Sequence, residues 1–269
     1  GGTVRFGLPI TEALSAQLAY NFTSEAYGFT TAAAGCPNPS TATCAVAPQI
    51  QSAIATGNWI KSSVSGTLIY NTIDDLKNPH EGFYVSGTAE VAGIFGNARF
   101  VKLTGRGTYY HTLSEEMDLI GVASAGGGHV IGFGAGGLRV FDLFQSNDRI
   151  IRGFAYNGIG PFYSDANITQ QLGGTTYFNA SAEVQFPFPG VPQSMGFRGA
   201  LFADAATIYG NPLAGVAPGS TAMLWRASVG ASLMWASPFG PLRVDYAIPV
   251  LSQPGDRIQN FNFGISTRF

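Results

Sequence analysis

Apolar and polar residues alternate along most of this chain with a period of two, which sends successive side chains to opposite faces of a β-strand. Val4, Phe6 and Leu8 alternate with Thr3, Arg5 and Gly7. After the turn Pro9 to Ala13, the residues Leu14, Ala16, Leu18, Tyr20 and Phe22 oppose Ser15, Gln17, Ala19 and Asn21. A long loop then runs to about Trp59. The third strand is predicted over about Lys61 to Asn71. It ends before the turn Asp74 to Glu81, whose Pro79 would not fit a central strand. In the fourth, Phe83, Val85, Ala89 and Val91 oppose Tyr84, Ser86, Thr88 and Glu90. The fifth covers about Ala98 to Thr112, with Lys102, Thr104, Arg106 and Thr108 as its polar row, and the sixth about Asp118 to Gly126.

A second long loop, from about Gly127 to Gly174, holds an island of charge and glycine, Asp148 to Pro161. The pattern then resumes. Phe178, Ala180, Ala182, Val184 and Phe186 alternate with Asn179, Ser181, Glu183 and Gln185, and a proline-rich turn, Pro187 to Ser194, follows. The eighth strand, Phe197 to about Tyr209, carries Arg198, Ala200, Phe202 and Asp204 on its polar row. The ninth sets Trp225, Ala227, Val229, Ala231, Leu233 and Trp235 against Arg226, Ser228, Gly230 and Ser232. Beyond the tight turn Ser237 to Pro241, Leu242, Val244, Tyr246 and Ile248 face away from Arg243 and Asp245. In the last strand Phe261, Phe263, Ile265 and Phe269 face away from Asn260, Asn262, Ser266 and Arg268.

This gives about eleven strands joined by short turns and long loops, the asymmetry of outer-membrane barrels. Counting back from Phe269 puts Pro9 to Ala13, Pro187 to Ser194 and Ser237 to Pro241 at the periplasmic end. The Asp148 to Pro161 loop falls at the outer end.

Composition strengthens that reading. Only 11% of the 269 residues are charged, against 36 Gly, 20 Phe and 11 Tyr. A water-facing surface normally needs about a quarter. The longest uncharged central run, Gly121 to Leu138, has too many glycines for a helix, which leaves a closed barrel as the way to satisfy the backbone in lipid. The fold predicted is all-β, an antiparallel transmembrane β-barrel. Trp225, Trp235, Tyr246 and Phe269 are candidates for aromatic girdles. Cys36 and Cys44 lie in a Pro/Ser/Thr/Ala-rich loop, and a disulfide closing it fits an oxidising compartment. A pI near 5.9 without a basic arm argues against nucleic acid as a partner. The start at Gly1-Gly2-Thr3, without a signal peptide, suggests a mature or truncated product.

Candidate chemistry is sparse. Gly132-x-Gly134-x-x-Gly137 formally matches a dinucleotide fingerprint but lacks the following helix and acidic residue. His80, His111 and His129 fit no metal spacing, and no nucleophile elbow or carboxylate pair supports hydrolysis. The chain is expected to be no enzyme, with no metal and no cofactor. Two glycines, Gly153 and Gly158, permit tight backbone paths beside Arg152. Asp204 and Glu183 lie on rows predicted to face the lumen, which leaves Arg152 two readings, a solvated loop charge or an inward salt bridge. Arg5, Lys102, Arg106, Arg198, Arg226 and Arg243 could line a conducting pore or be neutralised by Glu90, Glu183, Asp204 and Asp245.

Ile151-Arg152-Gly153-Phe154 with Gly160-Pro161 resembles the conserved loop motif of the BamA family of outer-membrane assembly factors. Phe202-x-Asp204 is similar to that family's partner motif on the barrel wall, and Glu183 stands where the family places a second acidic residue. The run from Ser237 to Pro249 resembles its penultimate hairpin, and Asn262 to Phe269 its C-terminal recognition signal. The resemblance implies that residues 1–269 are the C-terminal part of a sixteen-stranded barrel, with the periplasmic POTRA domains and first five strands absent. It implies assembly and insertion of β-barrel proteins into the Gram-negative outer membrane, with Arg152-Gly153-Phe154 docked inside the barrel. Phe261, Phe263, Gly264, Ile265 and Phe269 would form the C-terminal edge strand. The implied partners are outer-membrane lipids and lipopolysaccharide, unfolded β-barrel clients, and accessory lipoproteins and periplasmic chaperones acting through POTRA domains. The rival readings are a polypeptide-exporting relative, such as a two-partner secretion transporter or a TamA-like protein, and a passive diffusion porin.

Overall fold

The computed structural model describes residues 1–28, 46–75, 78–134, 137–192, 195–237 and 240–265. In chain order the strands are β1 (Gly2–Pro9), β2 (Leu14–Glu25), β3 (Trp59–Asn71), β4 (Gly82–Gly96), β5 (Phe100–Ser114) and β6 (Leu119–Gly132). They continue as β7 (Phe162–Ser164), β8 (Thr169–Gln171), β9 (Thr176–Pro187), β10 (Phe197–Tyr209), β11 (Arg226–Ser237), β12 (Gly240–Leu251) and β13 (Phe261–Ile265). One helix, α1 (Pro48–Ala55), precedes β3.

Eleven of these strands form a single sheet in which each pairs with its neighbour in sequence, β9 following β6, while β7 and β8 make a separate hairpin. Every pairing is antiparallel. Among the described residues β1 and β13 are the outermost strands of the sheet and do not pair with each other. The connections 10–13, 72–81, 115–118 and 188–196 leave the sheet at the end where Ser237 of β11 pairs with Gly240 of β12. Those at the other end are 26–58, 97–99, 133–175, 210–225 and 252–260. The second set holds the three longest connections, 26–58, 133–175 and 210–225.

The two faces of the wall reverse the usual order of a water-soluble sheet. Leu68, Phe83, Leu103, Leu201, Ile248 and Phe263 stand exposed on one face, whereas Glu183, Asp204, Ser228, Ser232, Arg243 and Asp245 are buried on the other. Apolar-out and polar-in is the alternation of a wall that meets lipid. Near the longer loops, α1 packs beneath the long loop through a cluster of Ala47, Ala53, Val140 and Leu172, joined by Leu213 and Val216.

Three expectations need correction. The sixth strand does not stop at Gly126. It runs to Gly132 because neighbouring rings take the volume that side chains would occupy. A Cβ on Gly127 would come within 2.8 Å of the Phe178 ring, and one on Gly128 within 2.6 Å of Tyr177 and 2.8 Å of Phe144. Glycine is what lets this backbone approach aromatic neighbours. The two long loops also hold structure of their own: α1 in the first, and a 3-10 turn at Val140–Asp142 with the β7–β8 hairpin in the second. Lastly, Tyr246 stands mid-way along β12 and so fits no girdle at a strand end, while Trp235 stacks on Phe197 with ring centroids 5.1 Å apart. Cys36, Cys44 and Phe269 lie outside the described residues.

Candidate functional site

The chain from Ile151 to Ala155 is buried, although it belongs to the connection between β6 and β9. Gly153 and Gly160 make this path possible with φ of +87° and +110°, values that a side chain would strain. A Cβ on Gly153 would approach Ala247 to 3.2 Å, so the loop lies directly on β12. Ile151, Phe154 and Ile159 pack with Ala206 and Ile208 of β10. Pro161 is fully buried.

Arg152 is 1% exposed. Its Nε donates to Asp204 Oδ2 at 2.7 Å and its Nη2 to Asp204 Oδ1 at 2.6 Å, the parallel two-bond pairing that suits a guanidinium and a carboxylate. The Arg152 backbone N–H adds a third bond to Asp204 Oδ2 at 3.1 Å. Nη1 donates to Glu183 Oε2 at 2.7 Å and Nη2 to Ser181 Oγ at 3.0 Å. Ser228 on β11 donates to the Arg152 carbonyl at 2.7 Å. The guanidinium carbon lies 3.3 Å from the Phe202 ring centroid, where the ring face attracts the cation. Desolvation alone would lower the Arg152 pKa, but the Asp204 and Glu183 carboxylates outweigh it and raise it. The group stays charged.

Further contacts extend the site. Arg243 of β12 donates to the same Glu183 Oε2 at 2.7 Å and to Asp245 Oδ1 at 2.8 Å, and Ser232 bonds to Asp245. Beyond the motif the loop joins the segment that leads into β13. Ala155 N–H donates to the Arg257 carbonyl at 2.8 Å, Arg257 N–H to Gly158 at 2.8 Å, and Gln259 N–H to Gly153 at 3.1 Å. Nearer its start the loop is held again by Arg139, whose guanidinium lies 3.9 Å from the Trp59 ring centroid and whose Nη2 donates to Glu25 at 3.4 Å.

The structure therefore brings Arg152, Glu183, Phe202 and Asp204 into contact. Of the proposed edge residues, Phe261 and Phe263 are exposed, and Gly264 pairs with Arg243 across β12 and β13. The partners of the other inward cations differ from those the pattern offers. Arg198 pairs with Asp118 at 2.7 Å and Arg226 with Asp256 at 3.0 Å, while Lys102 lies over Phe144 and Arg106 over Tyr84. Residues 257–259 and Arg139 carry no sequence signal of their roles. Arg243 is visible only as one of several inward charges. No group of three or more His, Cys, Asp or Glu side chains able to hold a metal occurs among the described residues.

All of the chain, residues 1–269, matches the Omp85 superfamily domain. The chain belongs to the Omp85 superfamily. Relatives within and around it agree on the kind of protein. The outer membrane protein assembly factor BamA of Neorickettsia risticii is 31% identical over 79% of this chain and 28% of its own length. BamA of Neisseria meningitidis is 27% identical over 74% of this chain and 28% of its own length. A SAM50-like protein of Schizosaccharomyces pombe is 30% identical over 74% of this chain and 42% of that protein. The chain thus spans under a third of the length of the BamA relatives it matches. The crystal structure of Haemophilus ducreyi BamA lacking POTRA domains 1–3 superposes with a TM-score of 0.76. That match covers 97% of this chain and 52% of the other at 22% identity, and it shows the Omp85 barrel fold.

Proposed function

We propose that this Omp85 chain forms the C-terminal wall of a barrel that assembles and inserts other β-barrel proteins into the bacterial outer membrane. The observation that carries the reading is the buried Arg152, held by Asp204 and Glu183 on the inner wall. A loop fixed to β9, β10, β11 and β12 makes that part of the wall stiff, so that deformation falls to the margin at β13. At that margin a strand has unpaired backbone groups to offer, and an incoming strand can add to them by hydrogen bonding. The names of the BamA relatives support the same client class. Outer-membrane lipids, lipopolysaccharide among them, surround the apolar face. Accessory lipoproteins and periplasmic chaperones reach the assembly through POTRA domains. The work is the exchange of backbone hydrogen bonds, with no enzymatic step, no cofactor and no nucleic acid.

The test is depletion of the full-length protein that carries this chain in its own cells. Folded, heat-modifiable porins should fall together, several barrel proteins at once. Porins that stay at normal levels while one secreted polypeptide disappears would overturn the reading in favour of an exporter.

A further inference from the structure

The inner side of β13 is not filled by packed side chains. A cavity of about 330 Å³ lies behind it, between Phe154 and Tyr156 of the docked loop and Arg243, Asp245, Asn262 and Gly264 of the wall. Gly264 stands opposite Arg243 across the β12–β13 ladder, and a Cβ on it would meet nothing within 4 Å. What orders β13 is therefore its ladder to β12 and the stitching of the loop to residues 257–259.

Arg243 is the side chain that fixes β12 at this level. It is 7% exposed and donates to Glu183 on β9, Asp245 on its own strand and Ser232 on β11. Glu183 Oε2 accepts from Arg152 and from Arg243, at 2.7 Å in each case. One carboxylate oxygen thus joins the cation carried by the loop to the cation carried by the strand beside the sheet's margin. Arg152 Nη1 also comes within 3.9 Å of Asp245. Without Arg243, a single guanidinium would face Asp204, Glu183 and Asp245 together.

We propose that Arg243 is a positioning residue that couples docking of the Arg152 loop to the order of β13. Removing Arg152 frees the segment stitched to 257–259; removing Arg243 frees β12 from β9. Both changes act through Glu183 and both end at the same strand, which has empty space behind it. Their effects on β13 should therefore overlap instead of multiplying.

The experiment is amide hydrogen exchange on the full-length protein folded in outer-membrane lipid vesicles, comparing Arg152→Met, Arg243→Met and the double variant. Each single change should speed exchange over Phe261–Ile265 by about tenfold, with β3 to β5 unchanged, and the double should add less than about threefold. Arg243→Lys should restore part of the protection. Single effects that multiply in the double variant would overturn the proposal, as would equal loosening of β3 to β5, the mark of a general structural role. Should Arg243→Met not reach the heat-modifiable folded state, Arg152→Lys and Arg243→Lys complete the same cycle, and multiplying effects overturn it there too. None of these readouts depends on client assembly, so failure here leaves the proposed function standing.

Discussion

At the scale of single residues the site is decided by Arg152, which combines two parallel bonds to Asp204, one to Glu183 and a ring face beneath. Leaving one member of such a buried pair alone costs about 3 to 5 kcal/mol. Asp204→Ala should thus undock the loop, and added protease should then cut within 148–161, a stretch that should resist it in the parent protein. Equal resistance in both would show that the apolar contacts of Ile151 and Phe154 suffice. Gly153→Ala acts by a different route, since a left-handed backbone and a 3.2 Å approach to Ala247 both oppose the added methyl. It should destabilise docking by more than about 1 kcal/mol, read as a lower denaturant midpoint for loop release. The inward rows of Glu183 and Asp204 were legible in the alternation and two glycines, Gly153 and Gly158, follow the arginine, but the docking of Arg152 onto those acids came chiefly from the motif's resemblance to the BamA family. Arg243 was legible only as one of six inward cations that four carboxylates, Glu183 and Asp245 among them, could neutralise, and not as the particular partner of those two. Alternation gives the face of a side chain but not which charge across the lumen it meets.

At the scale of elements, alternation located β10 to the residue and most other strands to within a few. It failed where the side chain that would carry the signal is missing. Gly127 and Gly128 read as loop, yet they pair on both sides with β5 and β9, and the rings of Phe178, Tyr177 and Phe144 supply the bulk that the glycines lack. The same logic predicts that Gly128→Val is poorly tolerated although its position is in a strand. Folded yield, followed by heat-modifiability, should drop. The α1 helix went unseen because eight residues carry too short a period to stand out, and because it is stabilised by contacts with Val140, Leu172 and Leu213 that lie far away in sequence. The stitching between 153–158 and 257–259 consists of backbone bonds and leaves no mark on side-chain pattern. Gln259→Pro would remove the N–H that bonds to Gly153, and faster exchange of the Ala155 amide is expected as the short ladder opens.

At the scale of the whole chain, five cations of the inner face are matched by carboxylates or covered by rings. Arg198, Arg226 and Arg243 are paired with carboxylates, and Lys102 and Arg106 lie over rings. The full-length protein should therefore carry only small, unsteady currents in a planar bilayer, and Asp204→Ala should raise them. Large steady currents from the parent protein would instead mark a porin. The loop's grip on four strands also has a consequence for chronology. Arg152 cannot find its carboxylates until β9 and β10 stand side by side, nor Ser228 its carbonyl until β11 has arrived. This protein's own birth must therefore pass through a moment at which a cation, a ring and three neighbouring ribbons snap into register together.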